Sequence, residues 1–418
     1  MSNIKIKYIS LLIISFSSLQ AQVLPLDSVL ANIEKGNPSL QVFGAKINAL
    51  NSYAEGAKSW EAPKISSGFW MTPYNPNLWK TDSKTGLQGM GSYMISAEQM
   101  IPNGQKLKAK QDYMLSMSLE QSENKNYIKN QLFAEAKINY YEWIILKKKL
   151  AVLKENESVI NLMIQSAEAH YSYNNEKVNT IYKAKARLAE IMSMILMVES
   201  EIQQKRIALN TLMNRNKNLV FETDTIYQIK NYENNIPDSI SLFQRRSDLK
   251  GIDRSADILK LKQDIERVKS KPDFGVSYAH MFSFGQANVF SLMGTITVPI
   301  VPWASKEYKS NIKGIDYEIA ELKWQKQNIT NEVMGKLVGI SVAIKSAKKQ
   351  IKAYDESIIP ALRNNLKTSQ LAYEQNTENL FVVLDAWEAL NMAKIEFFNK
   401  VNDLLKFQVE YERELEQK

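Results

Sequence analysis

Three features of the sequence predict a mainly α-helical fold with a small β part, laid out as two successive copies of helix, strand, strand, long helix, turn and helix. Only 15 Gly and 11 Pro punctuate 418 residues, and the stretches between them are rich in Lys, Glu, Gln, Leu, Ala and Ile. Landmarks around Asn37 return at equal spacing around Arg246. Each copy also contains two short segments of alternating apolar residues.

The first element is an export signal, residues 1–21. Lys5 and Lys7 precede an apolar stretch from Tyr8 to Phe16, and small and polar residues follow up to Ala21, where cleavage is expected. The apolar core is too short to span a bilayer as a helix. The best later apolar run, Ile191 to Val198, is about eight residues against the roughly 20 required. There is no Cys, which excludes disulfides and a lipid-modified N-terminal Cys. The net charge of +8 comes from basic residues interleaved with 45 acidic ones, the pattern of solvated helix faces and not of a nucleic-acid surface.

The first copy, residues 22–238, opens with Asn37-Pro38-Ser39-Leu40 and an amphipathic stretch that reaches Pro63. The second, residues 239–418, opens with Arg246-Ser247-Asp248-Leu249 and reaches Pro272 at the same spacing. Strands are expected over 64–74, 90–100, 272–283 and 289–300. The exits are marked by proline, at Ile101-Pro102-Asn103-Gly104 and Val298-Pro299-Ile300-Val301-Pro302. Long helices follow, over about 106–170 and 306–372, each on the order of 100 Å at 1.5 Å per residue.

Asn174 and Asn376 occupy equivalent places in the duplicated turns, and Asn tolerates the left-handed backbone that reverses a chain. They mark the tips of two helical hairpins. Three-or-four spacing from Ile128 through Ala136, Tyr140 and Trp143 to Leu153, and from Leu380 through Trp387 to Leu404, reads as side-by-side packing in coiled-coil fashion.

In the second copy Phe274, Val276 and Tyr278 share one face, as do Phe290, Leu292, Ile296 and Val298. In the first, Ile65, Phe69 and Met71 oppose Ser66, Gly68, Trp70 and Thr72. Segments of this kind suit strands of an outer-membrane barrel, with Trp70, Tyr74, Trp79 and Tyr93 as an interfacial aromatic girdle. Four strands close no barrel alone, and an open sheet in lipid leaves edge amides unpaired. Copies must therefore pool strands; three supply twelve, and closure alone does not choose between three copies and four.

The duplicated order of Asn37-Pro38, Pro63, Ile101-Pro102-Asn103-Gly104, Pro272, Val301-Pro302 and the tips Tyr171 to Ala184 and Tyr373 to Ala386 resembles the TolC-like outer-membrane efflux proteins, from about Leu24 to Leu415. The resemblance implies a homotrimer with a 12-stranded barrel in outer-membrane lipid and a periplasmic helical tunnel. It implies as partners a periplasmic adaptor and an inner-membrane pump of the RND type, and a passive duct with no catalysis and no cofactor. By position it places adaptor contacts at Tyr173, Asn174, Asn175, Gln375, Asn376 and Thr377. The inner constriction falls at Val382 and Asp385. Lys183 is equivalent to Asp385 under the repeat, which suggests a contact between the two that breaks on opening.

Other chemistry is sparse. His170 and His280 are far apart in sequence and assemble no zinc or nucleophilic site locally. Glu120 and Glu123 sit at helical spacing on a face expected to be solvated. Met94, Met281 and Met293 fall on the strand face opposite the apolar one, and thioethers prefer soft ions such as Cu(I), so heavy-metal export is one expectation. Efflux of drugs or other small molecules, and type I protein secretion, are the alternatives. A periplasmic adaptor would show one hairpin between Gly- and Val-rich β-domains, and a coiled-coil scaffold leaves the alternating segments unexplained.

Overall fold

The computed structural model describes residues 23–172, 178–232, 238–375 and 377–417. The elements in order are α1 (Leu26–Gly36), α2 (Pro38–Gly56), β1 (Lys64–Trp70), a 3-10 turn (Pro76–Trp79), β2 (Ser92–Ile101), α3 (Gly104–Ser172) and α4 (Val178–Leu212). Then come α5 (Ser239–Arg245), α6 (Ser247–Val268), β3 (Asp273–Ser283), β4 (Val289–Thr297), α7 (Pro302–Ala353), a π turn (Tyr354–Ile358), α8 (Ile359–Glu374) and α9 (Leu380–Leu415). Two short helices, two strands and long helices thus occur twice in the same order.

Contacts divide the chain into two units, neither of which is a sequential half. One takes described residues within Met1–Asn37, Leu132–Glu233 and Ala343–Val409; the other takes Pro38–Gln131, Asn234–Val342 and Glu410–Lys418. The 69 residues of α3 form one uninterrupted helix. Its counterpart departs from the expected continuous run over 306–372, because a π turn at Tyr354–Ile358 separates α7 from α8. Pro360 is the cause: it has no N–H to donate and its ring crowds the carbonyl four residues back, which a wider turn accommodates.

The first unit is held by apolar seams. Leu24, Val29 and Ile33 pack with Tyr140, Trp143, Ile144, Leu209 and Phe221, with Trp143 edge-on to Phe221 at 5.0 Å. The buried Tyr140 hydroxyl donates to the Leu24 carbonyl at 3.0 Å and accepts the Asp224 amide at 3.0 Å, and burial pushes its pKa up to about 12. A second seam joins Leu153, Ile160 and Ile164 of α3, Ile181, Ala184 and Ile191 of α4, and Leu380, Val383 and Trp387 of α9. The predicted stripes therefore bury most of the residues their spacing selects, with Ile128, Leu132, Leu150 and Phe397 half-buried.

In the second unit the sheet runs β1-β2-β3-β4, antiparallel throughout. Met71 does not continue β1 as expected: it takes a left-handed φ of 48°, and the Thr72 hydroxyl turns back to the Trp70 carbonyl. The neighbouring helices follow the strand order. Ser255 of α6 donates to Glu120 of α3 at 2.5 Å, and Gln263 of α6 reaches the Ile312 carbonyl and Asp316 of α7 at 3.1 and 2.7 Å. Glu120 is thus a half-buried link between α3 and α6, not the freely solvated carboxylate the sequence suggests. At the end of α9, Arg246 donates to the Glu414 carbonyl and carboxylate, both at 2.7 Å, and to Asp248 at 2.6 Å.

Candidate membrane-facing sheet and hairpin end

Register sorts the strands into two faces. Phe69, Tyr93 and Phe282 are directly opposite one another, as are Ile95, His280 and Phe290, then Ala97, Tyr278 and Leu292, then Ile101, Phe274 and Ile296. Ser67, Gln99, His280 and Gly294 are the only non-apolar members of that face. Its large side chains are mostly exposed. The reverse face presents Lys64 against Glu98, Ser66 against Ser96, Asp273 against Thr297 and Ser277 against Met293. Such a division matches a sheet that meets hydrocarbon on one side and water on the other.

Aromatic residues gather at both ends of the apolar face. At the loop end Phe69 lies 5.6 Å from Trp79 and from Tyr93, and Trp79 stacks on Phe284 at 5.2 Å. The Trp79 indole N–H donates to the Pro73 carbonyl at 2.8 Å, which keeps its polar edge satisfied. At the helix end Trp60 and Trp303 are exposed. Of the four aromatics expected in a girdle, Trp79 and Tyr93 lie in this ring cluster. Trp70 pairs with Ser92 on the opposite face, because its strand position has the other parity, and Tyr74 projects from the loop.

The 71–91 loop is folded back onto the β3–β4 turn. Thr81 donates to the Gly285 carbonyl, Gln286 to the Gly89 carbonyl at 2.8 Å, and the Phe284 amide to the Gly91 carbonyl at 2.9 Å. Gly89 fills a position where a Cβ would strike the carbonyl oxygens of Trp79 and Phe284. Sequence reading missed this interlock; the run of Gly86, Gly89 and Gly91 was its signal.

Of the three candidate metal-binding methionines, Met94 and Met281 face each other across β2 and β3. Met293 lies on the same face but opposite Ser277, four positions along β3 from Met281. Among the described residues no group of three His, Asp or Glu gathers to hold a metal.

At the hairpin end, Tyr173, Asn174, Asn175 and Asn376 lie outside the described residues. Gln375 caps α8 with its amide on the Leu371 carbonyl, and the Thr377 amide and hydroxyl both donate to the Ala372 carbonyl at 2.9 Å. Asn379, which sequence reading passed over, accepts the Val382 amide at 3.3 Å and so caps α9. Val382 is half-buried and Asp385 is exposed. The expected contact between Asp385 and Lys183 is not made: the Lys183 ammonium sits 3.4 Å from the centre of the Phe381 ring. The charge link between α4 and α9 runs one turn further on, where Arg187 bridges Glu388 at 2.7 Å and Glu190 at 2.6 Å. Beside it is a cavity of about 660 Å³ bounded by Trp387, Met194, Met392, Tyr354 and Ile358.

No helix among the described residues is long and apolar enough to cross a membrane. No protein-family model matches the chain, and no curated protein matches it in sequence. Solved structures do. The outer-membrane channel OprN is 14% identical, with a TM-score of 0.75 over 93% of this chain and 89% of that one. CusC, described as forming a transmembrane channel, is 13% identical at 0.74 over 93% and 91%. The outer-membrane protein VceC of Vibrio cholerae is 15% identical at 0.72 over 93% and 95%. At these identities the likeness is one of fold, and the chain has the fold of the TolC-like outer-membrane channels.

Proposed function

We infer that this chain is the outer-membrane subunit of a tripartite efflux system, a passive and non-enzymatic duct that reaches into the periplasm as long helical hairpins. The observation that carries the reading is the four-stranded sheet, apolar and exposed on one face and polar on the other, within the fold of outer-membrane channels. In lipid its two open edges need partners. An even number of antiparallel strands leaves β1 and β4 running in opposite directions, so the β4 of one copy can pair with the β1 of the next without a break in the pattern. Three copies then supply the twelve strands, with two similar halves in each.

The hairpin ends face an adaptor and a pump in this reading, with Gln375, Thr377 and the neighbouring turn residues as contacts and Val382 and Asp385 at the constriction. Single-channel conductance of detergent-purified protein in a planar bilayer tests it, with and without Asp385→Asn. Stable low-conductance channels altered by the substitution are expected. Well-folded protein that never conducts refutes the duct, and unaltered conductance in Asp385→Asn refutes the gate.

The facing pair Met94 and Met281 on the polar face supports heavy-metal cations as cargo over drugs or secreted protein. Cells that lack the protein then lose tolerance to copper or silver. Unchanged tolerance overturns this version of the reading and leaves the duct untouched.

A further inference from the structure

The cavity of about 660 Å³ lies wholly within the first unit, lined by residues of α3, α4, α9 and the π turn. Its volume is that of small-molecule sites, and its walls are chiefly apolar, with Leu153, Ile191, Trp387 and Ile395 among them. Two lining methionines open to solvent, Met194 at 47% exposed and Met392 at 66%. Unbranched, polarizable thioethers suit a mouth that repacks around what enters it. Tyr354 and Ile358 bring the π turn into the wall, and such departures from regular helix recur at functional sites.

One polar group in the lining has no use inside the chain. Asn391 of α9 is nine-tenths buried, and its side-chain nitrogen meets no acceptor among the described residues. A buried donor left unmet is costly, and a leucine would fill the same space without that cost. A half-turn about χ2 exchanges the oxygen and nitrogen ends of the amide, so its N–H can turn to an acceptor that enters the cavity.

Charge selects the ligand. Arg187 bridges both Glu190 and Glu388, so one guanidinium stands against two carboxylates and one negative charge is left over. Glu396, the remaining carboxylate of the lining, is met by Lys400 at 2.9 Å. An uncompensated carboxylate beside an indole and a phenol attracts a cation with an apolar body, and it repels an anion.

We propose that this cavity binds a lipophilic monocation that carries a carbonyl or ether oxygen, with its body against Trp387 and Tyr354, its charge toward Glu190 and Glu388, and its oxygen toward Asn391. The inference goes beyond the duct reading and does not depend on it. The test uses full-length protein in nanodiscs of zwitterionic phospholipid and a cationic rhodamine ethyl ester as probe. Binding is followed by fluorescence anisotropy with empty discs subtracted. Expected is saturable binding that Met194→Trp, which fills the mouth from an exposed position, weakens about tenfold. Asn391→Leu is expected to weaken it about tenfold while raising the midpoint of thermal unfolding, a pairing that a purely structural amide would not give. Nile red, neutral but with a carbonyl, is expected to bind about fivefold more weakly than the rhodamine, and Glu388→Gln to erase that preference. Absence of saturable binding, or binding that neither Met194→Trp nor Asn391→Leu changes, overturns the site. Nile red that binds as tightly as the rhodamine overturns the choice of a cation. If Met194→Trp loses helix content, Asn391→Leu alone decides. Protein that binds the probe but never conducts in a planar bilayer refutes the duct and leaves the site standing.

Discussion

Leu292 and Met293 are adjacent in β4 and similarly exposed, at 68% and 58%, yet they stand on opposite faces of the sheet. Leu292 opposes Tyr278 near the middle of β3, which places it near the middle of the apolar band. On an ordinary wet surface Leu292→Arg and Met293→Arg would each stay within about 0.5 kcal/mol of the parent. In a barrel they separate. Arginine on the lipid side near the bilayer midplane costs about 2–4 kcal/mol per subunit, roughly 30- to 700-fold in the folding equilibrium, whereas a lumen arginine contacts water. Guanidinium unfolding of protein refolded into phospholipid vesicles, followed by tryptophan emission, gives both values. Equal costs for the two variants would sink the assignment of the apolar face to lipid, and a larger cost for Met293→Arg would reverse it.

Three further substitutions test the scaffold. Arg246→Met leaves the buried Glu414 carboxylate with only its 3.1 Å pair to Arg413 and removes the cation from Asp248, and a loss of about 3 kcal/mol is expected from thermal or denaturant unfolding; no loss would mean the clamp is idle. Burial raises the pKa of Glu142, but bonds from Lys205 and Lys406 outweigh it and hold the carboxyl below its usual 4.5. Its contribution is therefore present above about pH 4.5 and lost as pH falls through the lower folded value. Glu142→Gln should cost about 1–2 kcal/mol at pH 7, given its partly exposed lysine partners, and flatten the acid limb of a stability-pH curve. Gly89→Ala drives a Cβ into two backbone carbonyls and should open the 71–91 loop to protease, a rise in cleavage that wild-type protein does not show.

Periodicity made the regular elements legible. The predicted 272–283 strand is β3, Asp273–Ser283, and alternation also located β4, although its ladder stops at Thr297 short of Pro299. The face assignment of Phe274 to Tyr278 and of the three methionines followed from the two-residue repeat alone. What escaped were features set by contacts distant in sequence. Arg246 marks only the start of the second copy in the sequence, and its partner Glu414 comes from the far end of the chain; Lys183 was paired with Asp385 by equivalence when the nearest π face belonged to Phe381. The interruption between α7 and α8 had a local signal, Pro360, which the strong helical composition around it masked.

The two junctions between paired short helices show what the duplicated order preserves. Asn37 and Arg246 have nearly the same backbone, φ −69° and ψ 122° against φ −72° and ψ 122°, and each donates its amide to a carbonyl four residues back. Each also sends its buried side chain to a carbonyl at the end of a later helix, Asn37 to Leu212 at 2.8 Å and Arg246 to Glu414. Those helices finish on non-glycine residues with left-handed φ, Asn214 at 54° and Glu416 at 49°. The offset that relates Asn214 to Glu416 is the one that relates Asn174 to Asn376. Geometry recurs while chemistry does not: a neutral amide suffices at one junction, and at the other a guanidinium needs Asp248 and Glu414 to offset its burial. Against this shared junction geometry the two long-helix runs differ, and the difference is informative. Unbroken α3 has no weak turn, whereas the π turn ahead of α8 borders the 660 Å³ cavity with Tyr354 and Ile358, which leaves room for that turn to shift against Ile191 and Met194 of α4.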